Sequence, residues 1–217
     1  MLRQKINQNF ILYWVTAYIL RPIYFLFVKT KIEGEHFLPK KGAVIIVSNH
    51  ISYADPLALA YLGFRRKRVI HFLAKDTLFK NKVLGTYLRL CGQIPVARES
   101  ATAADSLFMA KKYIELEHCV AIYPEGTIPK DLIQLPIKSG ALRLAQETNT
   151  PIIVIGSWGA HNLYRKDEGF KLKLRVRHDM VVTPPYKVEP NISIDEARKQ
   201  LSEKMLNATE EAKRKRG

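Results

Sequence analysis

Apolar residues fall into short continuous runs separated by polar turns and by stretches of helical spacing. Residues 43–48, 69–74, 119–123 and 151–156 are apolar runs of the length expected for buried strands. Between them, 57–62, 77–90, 100–118 and 138–148 carry apolar positions at helical intervals. Leu78, Phe79, Val83, Leu84 and Leu88 mark one such face, and Leu107, Phe108 and Ile114 another. The alternation predicts α/β architecture: a single domain with a mixed, mostly parallel β-sheet flanked by helices. Residues 91–98 are strand-like, and Pro95, having no N–H to give a ladder, assigns them to an edge or bulge. Residues 171–177 alternate Lys, Leu, Lys, Leu, Arg, Val, Arg and predict an edge strand guarded by charge. The last helix opens at Ser193 with Glu196 three residues on, a capping box, and its basic end at 213–216 predicts a frayed tail.

The start of the chain breaks this rhythm. Residues 10–28 are almost wholly apolar and rich in aromatics, interrupted by Arg21-Pro22. A bilayer-spanning helix needs about 20 apolar residues, and a central Arg costs about 2.5–3.5 kcal/mol on an insertion scale. The expectation is therefore two short helices broken at Arg21-Pro22 and lying in the membrane interface, with Trp14 and the tyrosines at headgroup depth. No small-residue cleavage site follows, which argues against a secretory signal. The chain divides into a membrane-associating helical segment (1–32), a folded domain (33–190) and a C-terminal helix with a basic tail (191–217).

Charge narrows the partner. The 217 residues hold 35 Lys and Arg against 20 Asp and Glu, a net charge of +15, which calls for nucleic acid, an anionic membrane surface or phosphorylated substrates. Nucleic acid is disfavoured by the absence of zinc-finger spacing, of a base-stacking aromatic block and of a helix-turn-helix pattern. The basic cluster at 65–68 is a solvated loop within reach of anionic headgroups. Cys91 and Cys119 lack metal or redox spacing and are expected as reduced thiols. A Gly-x-Ser-x-Gly elbow and a phosphate-cradling P-loop are both missing, and the histidines at 36, 71, 118, 161 and 178 have no partner pattern, so no metal or cofactor is implied.

The chemistry sits where apolar strands end. The first run leads directly into Asn49-His50, with four residues separating His50 from Asp55 and Pro56 next to Asp55. Pro at the first helical turn places Asp55 at an N-cap, and a loop at a strand's carboxyl end can hold an imidazole on a rigid base. An Asp on one ring nitrogen fixes the tautomer and leaves the other to take a proton from a hydroxyl. The plainer reading is a helix cap beside a loop histidine. Lys75 follows the second apolar run, Arg98 ends the strand-like piece, and the third run leads into Pro124-Glu125-Gly126-Thr127, so that loop and the His50 loop are expected to meet over one crevice.

Four stretches in order resemble the motifs of the glycerolipid acyltransferase family typified by 1-acylglycerol-3-phosphate acyltransferase. They are N-H-I-S-Y-A-D (49–55), G-Q-I-P-V-A-R (92–98), Y-P-E-G-T (123–127) and T-P-I-I-V-I-G (150–156), within roughly residues 35–180. The resemblance implies that His50, oriented by Asp55, deprotonates an acceptor hydroxyl that attacks an acyl thioester of coenzyme A or acyl carrier protein. No cofactor and no covalent enzyme intermediate are needed. It further implies that Arg98 and Lys75 hold the acceptor's phosphate, that Glu125, Gly126 and Thr127 shape the acceptor site, and that backbone N–H groups near the helix at Pro56 serve the oxyanion. The implied partners are a lysophospholipid acceptor, the acyl donor and an anionic membrane surface, at the cytoplasmic face of the cell membrane, without nucleic acid. One position departs: the family's third block usually continues with an Arg assigned to phosphate, whereas Ile128 and Pro129 stand here. Lys130 or Lys138 is the expected substitute, as a point charge without Arg's fork. Related expectations are the same chemistry on glycerol 3-phosphate, another lysophospholipid or a glycolipid, or a catalytically idle membrane-binding protein of this fold.

Overall fold

The structure, a computed structural model, describes residues 9–96 and 103–215. In chain order its elements are α1 (Phe10–Phe27), β1 (Val28–Glu33), β2 (Val44–Ser48), α2 (Asp55–Arg65), β3 (Ile70–Lys75), α3 (Lys82–Leu90), β4 (Ile94–Val96), α4 (Ala103–Glu115), β5 (Cys119–Ile122), α5 (Gly140–Thr148), β6 (Ile152–Trp158), β7 (Tyr164–Arg165), β8 (Gly169–Phe170), β9 (Val176–Val182) and α6 (Ile194–Arg214). Seven strands form one sheet in the order β1-β9-β6-β2-β5-β3-β4, and β7 and β8 make a separate antiparallel hairpin.

The central strand is β2, buried at every position because it is covered on both faces. It pairs in parallel with β5 on one side and β6 on the other, while β3 and β4 extend the parallel set. Beyond β6 the direction reverses: β9 is antiparallel to β6, and β1 is parallel to β9. Ile45, Val47, Val120, Ile122, Ile152 and Val154 point to the face packed by α4, α5 and α6. Ile46, Ala121, Ile153 and Ile155 point to the face packed by α1 and α2. The parallel-rich α/β fold and the edge position of Pro95 in β4 are as the pattern implied.

Four readings need correction. α1 is one 18-residue helix with Pro22 inside it. Proline removes one intrahelical bond, yet aromatic packing on α2 keeps both halves in line: Trp14 and Tyr18 lie 6.0 and 5.1 Å from Phe64, and Phe25 lies 5.0 Å from Tyr61. Arg21 is absorbed in the same contact, with its guanidinium 5.2 Å from the Phe64 ring and 5.5 Å from that of Phe25. Residues 28–32, grouped by pattern with the N-terminal segment, belong to sheet strand β1, and the edge guarded by charge is this one, with Lys29, Lys31 and Glu33 outward. Residues 171–175 are a loop, since Arg175 adopts φ 53°, which a strand does not admit; β9 starts after it and is internal.

The fourth is partial: at 65–68 Lys67 is exposed as a solvated loop implies, but the three arginines are engaged. Arg65 pairs with Glu35 at 2.5 Å, Arg66 donates to the Leu38 carbonyl at 2.9 Å and Arg68 to that of Pro39 at 2.7 Å, which ties them to the chain before β2. At the other end α6 runs through Arg214, and Lys215 pairs with Glu33 and Glu211. The Ser193 cap accepts from the Glu196 N–H at 3.1 Å as the sequence implied.

Gly156 in β6 lies directly under α6: a Cβ there would fall on the carbonyl of Ala208. Gly156→Ala is therefore expected to push α6 off the sheet and lower stability by about 1–3 kcal/mol, read as a shift in denaturant midpoint. An unchanged midpoint would mean that α6 docks without this close approach.

Candidate active site

Because β2, β5 and β6 run parallel, the loops that leave them open at the same edge of the sheet. The turn after β2 brings Asp55 back under His50. A single carboxylate oxygen, Asp55 Oδ2, accepts from the backbone N–H groups of Ile51 and Ser52 at 2.7 and 2.8 Å and from His50 Nδ1 at 3.1 Å. Asp55 is buried, whereas His50 keeps a small exposed surface. With Nδ1 donating to the carboxylate, Nε2 is the nitrogen left for a proton from outside.

Asp55 does not cap α2, as its place before Pro56 implied. It is the first helical residue, Ala54 holds the cap position without a side-chain bond, and the carboxylate serves N–H groups upstream of the helix. The same turn commits several of the backbone donors expected for an oxyanion. Ile51 and Ser52 give theirs to Asp55, Ala54 to Ser52 Oγ, Asp55 to the Ser52 carbonyl and Leu57 to that of Ala54.

The β5 loop closes the other side. Glu125 is buried and its Oε2 accepts the His50 N–H at 3.0 Å. Burial raises its carboxyl pKa to about 8, with Asp55 adding to the shift and the His50 N–H opposing it. Tyr123 stacks on the His50 ring with centroids 4.1 Å apart and planes 19° from parallel. Gly126 turns the chain at φ 73° with the Lys138 ammonium alongside, where a Cβ would come within 3.2 Å of Nζ. Thr127 accepts from Lys166 Nζ at 3.2 Å. Ile128 is buried, so the position where the family carries Arg faces the core.

From β6 comes a clamp: Asn49 donates to the Ser157 carbonyl at 2.9 Å and accepts the Ser157 N–H at 2.8 Å. Ser52 Oγ donates to the carbonyls of Ala160 at 3.1 Å and Tyr164 at 2.6 Å, which ties the His50 turn to the β7–β8 hairpin.

His50, Asp55, Glu125, Gly126, Thr127 and Lys138 are thus gathered at one edge. Lys75 ends β3 at the same edge, two strands from β2, or about 10 Å. Arg98 lies outside the described residues. Lys130 is exposed and gives its carbonyl to Arg165. Asn49, Ser157, Tyr123 and Lys166 were not singled out from sequence. A polar residue ending an apolar strand was the available signal for Asn49 and Ser157, whereas nothing local marks Lys166.

Comparison with known proteins assigns the chain to an acyltransferase class. Residues 29–158, more than half of the chain, match the family model described as Acyltransferase, and the chain belongs to that family. It is 30% identical over 182 residues to a chloroplastic 1-acyl-sn-glycerol-3-phosphate acyltransferase of Brassica napus, covering 82% of this chain and 52% of that protein. The enzyme of the same name from Borreliella burgdorferi is 32% identical over 150 residues, 69% of this chain and 59% of the relative. The chain therefore spans just over half the length of these two relatives. The crystal structure of the 1-acyl-sn-glycerophosphate acyltransferase PlsC from Thermotoga maritima superposes with a TM-score of 0.74 at 25% identity, covering 93% of this chain and 79% of that one.

Two outcomes are expected. Asp55→Ala orphans two buried N–H groups and should cost about 1–3 kcal/mol for each, seen as a lower denaturant midpoint; an unchanged midpoint would show that the turn holds itself. For Glu125 the folded pKa of about 8 lies above the ordinary 4.5, so between those values the folded state keeps a proton that the unfolded chain has released. Stability then falls as pH rises through that window and is flat outside it. Glu125→Gln, which retains an acceptor for His50, should remove that slope from a series of melting temperatures; a persisting slope would place its origin elsewhere.

Proposed function

We propose that this protein transfers a fatty acyl group from acyl-CoA or acyl carrier protein to the free hydroxyl of 1-acyl-sn-glycerol 3-phosphate, giving phosphatidic acid and a free thiol. The observation that carries this reading is the His50 Nδ1–Asp55 Oδ2 pair, held by the Ile51 and Ser52 N–H groups in a member of the acyltransferase family. In the proposed step the acceptor hydroxyl gives its proton to His50 Nε2 as its oxygen attacks the thioester carbonyl. The tetrahedral intermediate collapses with loss of thiolate, and His50 returns the proton to the sulfur.

Roles follow from position. Glu125 and Tyr123 support His50 from beneath and beside it, and Gly126 leaves room for the Lys138 ammonium. The acceptor's phosphate is assigned to Lys138 and Lys166, two cations that adjoin the Gly126–Thr127 turn, in place of the Arg that Ile128 replaces. Lys75 and Arg98 are assigned to the same anion from further along the edge. Neither acyl donor is favoured over the other, since both present the same phosphopantetheine arm.

α1 is the proposed membrane contact. It is the one helix among the described residues long and apolar enough to cross a bilayer. It nevertheless lies along α2, its N-terminal side is tied by Asn9 N–H to the Leu90 carbonyl at 2.8 Å, and it leads directly into β1. Ile11, Val15, Ile19, Ile23 and Leu26 remain exposed along one side. That geometry favours a helix lying in the membrane interface over one that spans, and the cytoplasmic face is the side proposed for it.

The test is thiol release from an acyl thioester by detergent-solubilised protein, with and without 1-acylglycerol 3-phosphate. Acceptor-dependent release should fall by about 10²–10⁴-fold in His50→Ala. Lys138→Ala and Lys166→Ala should raise the acceptor KM with little change in kcat. Release that persists in His50→Ala would overturn the mechanism, and unchanged KM in both lysine variants would overturn the phosphate assignment.

A further inference from the structure

The loop 171–175 presents leucines to the outside of the molecule. Leu172 and Leu174 are 80% and 62% exposed, alternating with Lys171, Lys173 and Arg175. Backbone bonds hold both ends of the loop: the Lys171 N–H donates to the Leu163 carbonyl at 2.7 Å, and the Arg175 N–H to that of Leu26 at 3.1 Å. The second bond joins the loop to the C-terminal end of α1, and Phe27 meets Phe170 with centroids 5.7 Å apart. The leucines therefore extend the exposed apolar side of α1, although they lie far from it in sequence. From this junction exposed aromatics lead toward the site: Phe170 is 5.9 Å from Tyr164, and Tyr164 is 4.9 Å from Tyr53, within the turn that carries His50 and Asp55.

We propose that the 171–175 loop is a second membrane contact, inserting Leu172 and Leu174 below anionic headgroups that Lys173 and Arg175 engage, Lys171 being paired with Glu168, so that the Phe170–Tyr164–Tyr53 ridge faces the lipid from which acceptor reaches His50. Charge selects the occupant. Apolar side chains interleaved with cations fit the boundary between acyl chains and anionic headgroups. A single helix leaves the protein free to roll about the helix axis, whereas a contact beyond its end fixes which face meets the bilayer. The inference rests on the acyl-transfer reading only for the role of the ridge; the loop's contact with lipid stands apart from it.

Cys91 and Cys119 are buried, so a single cysteine at Leu172→Cys in the full chain accepts an environment-sensitive fluorophore selectively. Lys199→Cys, on the outer side of α6 across the sheet, is the control. With vesicles of phosphatidylcholine and phosphatidylglycerol, the probe at 172 should shift to the blue, brighten several-fold and be quenched by a lipid-tail quencher, while the probe at 199 stays unchanged. No response at 172 while the protein floats with the vesicles would overturn the proposal, as would an equal response at 199. A full response with phosphatidylcholine alone would overturn the role given to charge. Leu172→Asp/Leu174→Asp should lose on the order of tenfold in transfer to vesicle-borne acceptor and retain transfer to a monomeric short-chain acceptor. Absence of any transfer by the unaltered protein would end the acyl-transfer reading and leave the fluorescence result intact.

Discussion

The site depends on one constraint, the parallel pairing of β2 between β5 and β6. It brings three carboxyl strand ends to one edge, and each contributes a different kind of group. β2 delivers His50 and Asp55, β5 delivers Tyr123 and Glu125, and β6 delivers the Ser157 backbone that Asn49 clamps. The strands are buried along their length and cannot slide without exposing apolar faces. Positions at their ends inherit that rigidity.

Within the site the critical atom is Asp55 Oδ2. Two of its three donors are backbone groups, so the carboxylate is held by the fold of the turn as much as by the imidazole. The arrangement favours one ring orientation and one tautomer. It also commits the N–H groups of Ile51, Ser52, Ala54, Asp55 and Leu57 to bonds within the turn. Glu125 beneath His50 is held toward its neutral form by burial, which lets it accept the His50 N–H without placing a second full negative charge beside Asp55.

The exterior follows a similar division between cations bonded to the chain and exposed apolar groups. Arg65, Arg66 and Arg68 bind inward to a carboxylate and to carbonyls. The apolar side of α1 and the leucines of 171–175 remain outward. Which cations the fold leaves uncommitted is a selection that net charge alone does not express.

Residue order by itself determined the central strands, the flanking helices, the Ser193 cap and the His50–Asp55 pair, because each is written in local periodicity or in spacing of a few residues. It also placed Glu125 at the same crevice, since strands joined by helices run parallel and share an edge. Tertiary structure decided the rest. Pro22 stays inside α1 because aromatic contacts with α2 compensate for a lost bond, and no local rule contains α2. The alternation at 171–175 is a loop because β9 pairs from Val176 onward with β1 and β6, partners distant in the chain. Lys166 reaches Thr127 across 39 positions through the β7–β8 hairpin. These outcomes are set by contacts between residues far apart in sequence, and local pattern carries no information about which distant surface will be the neighbour.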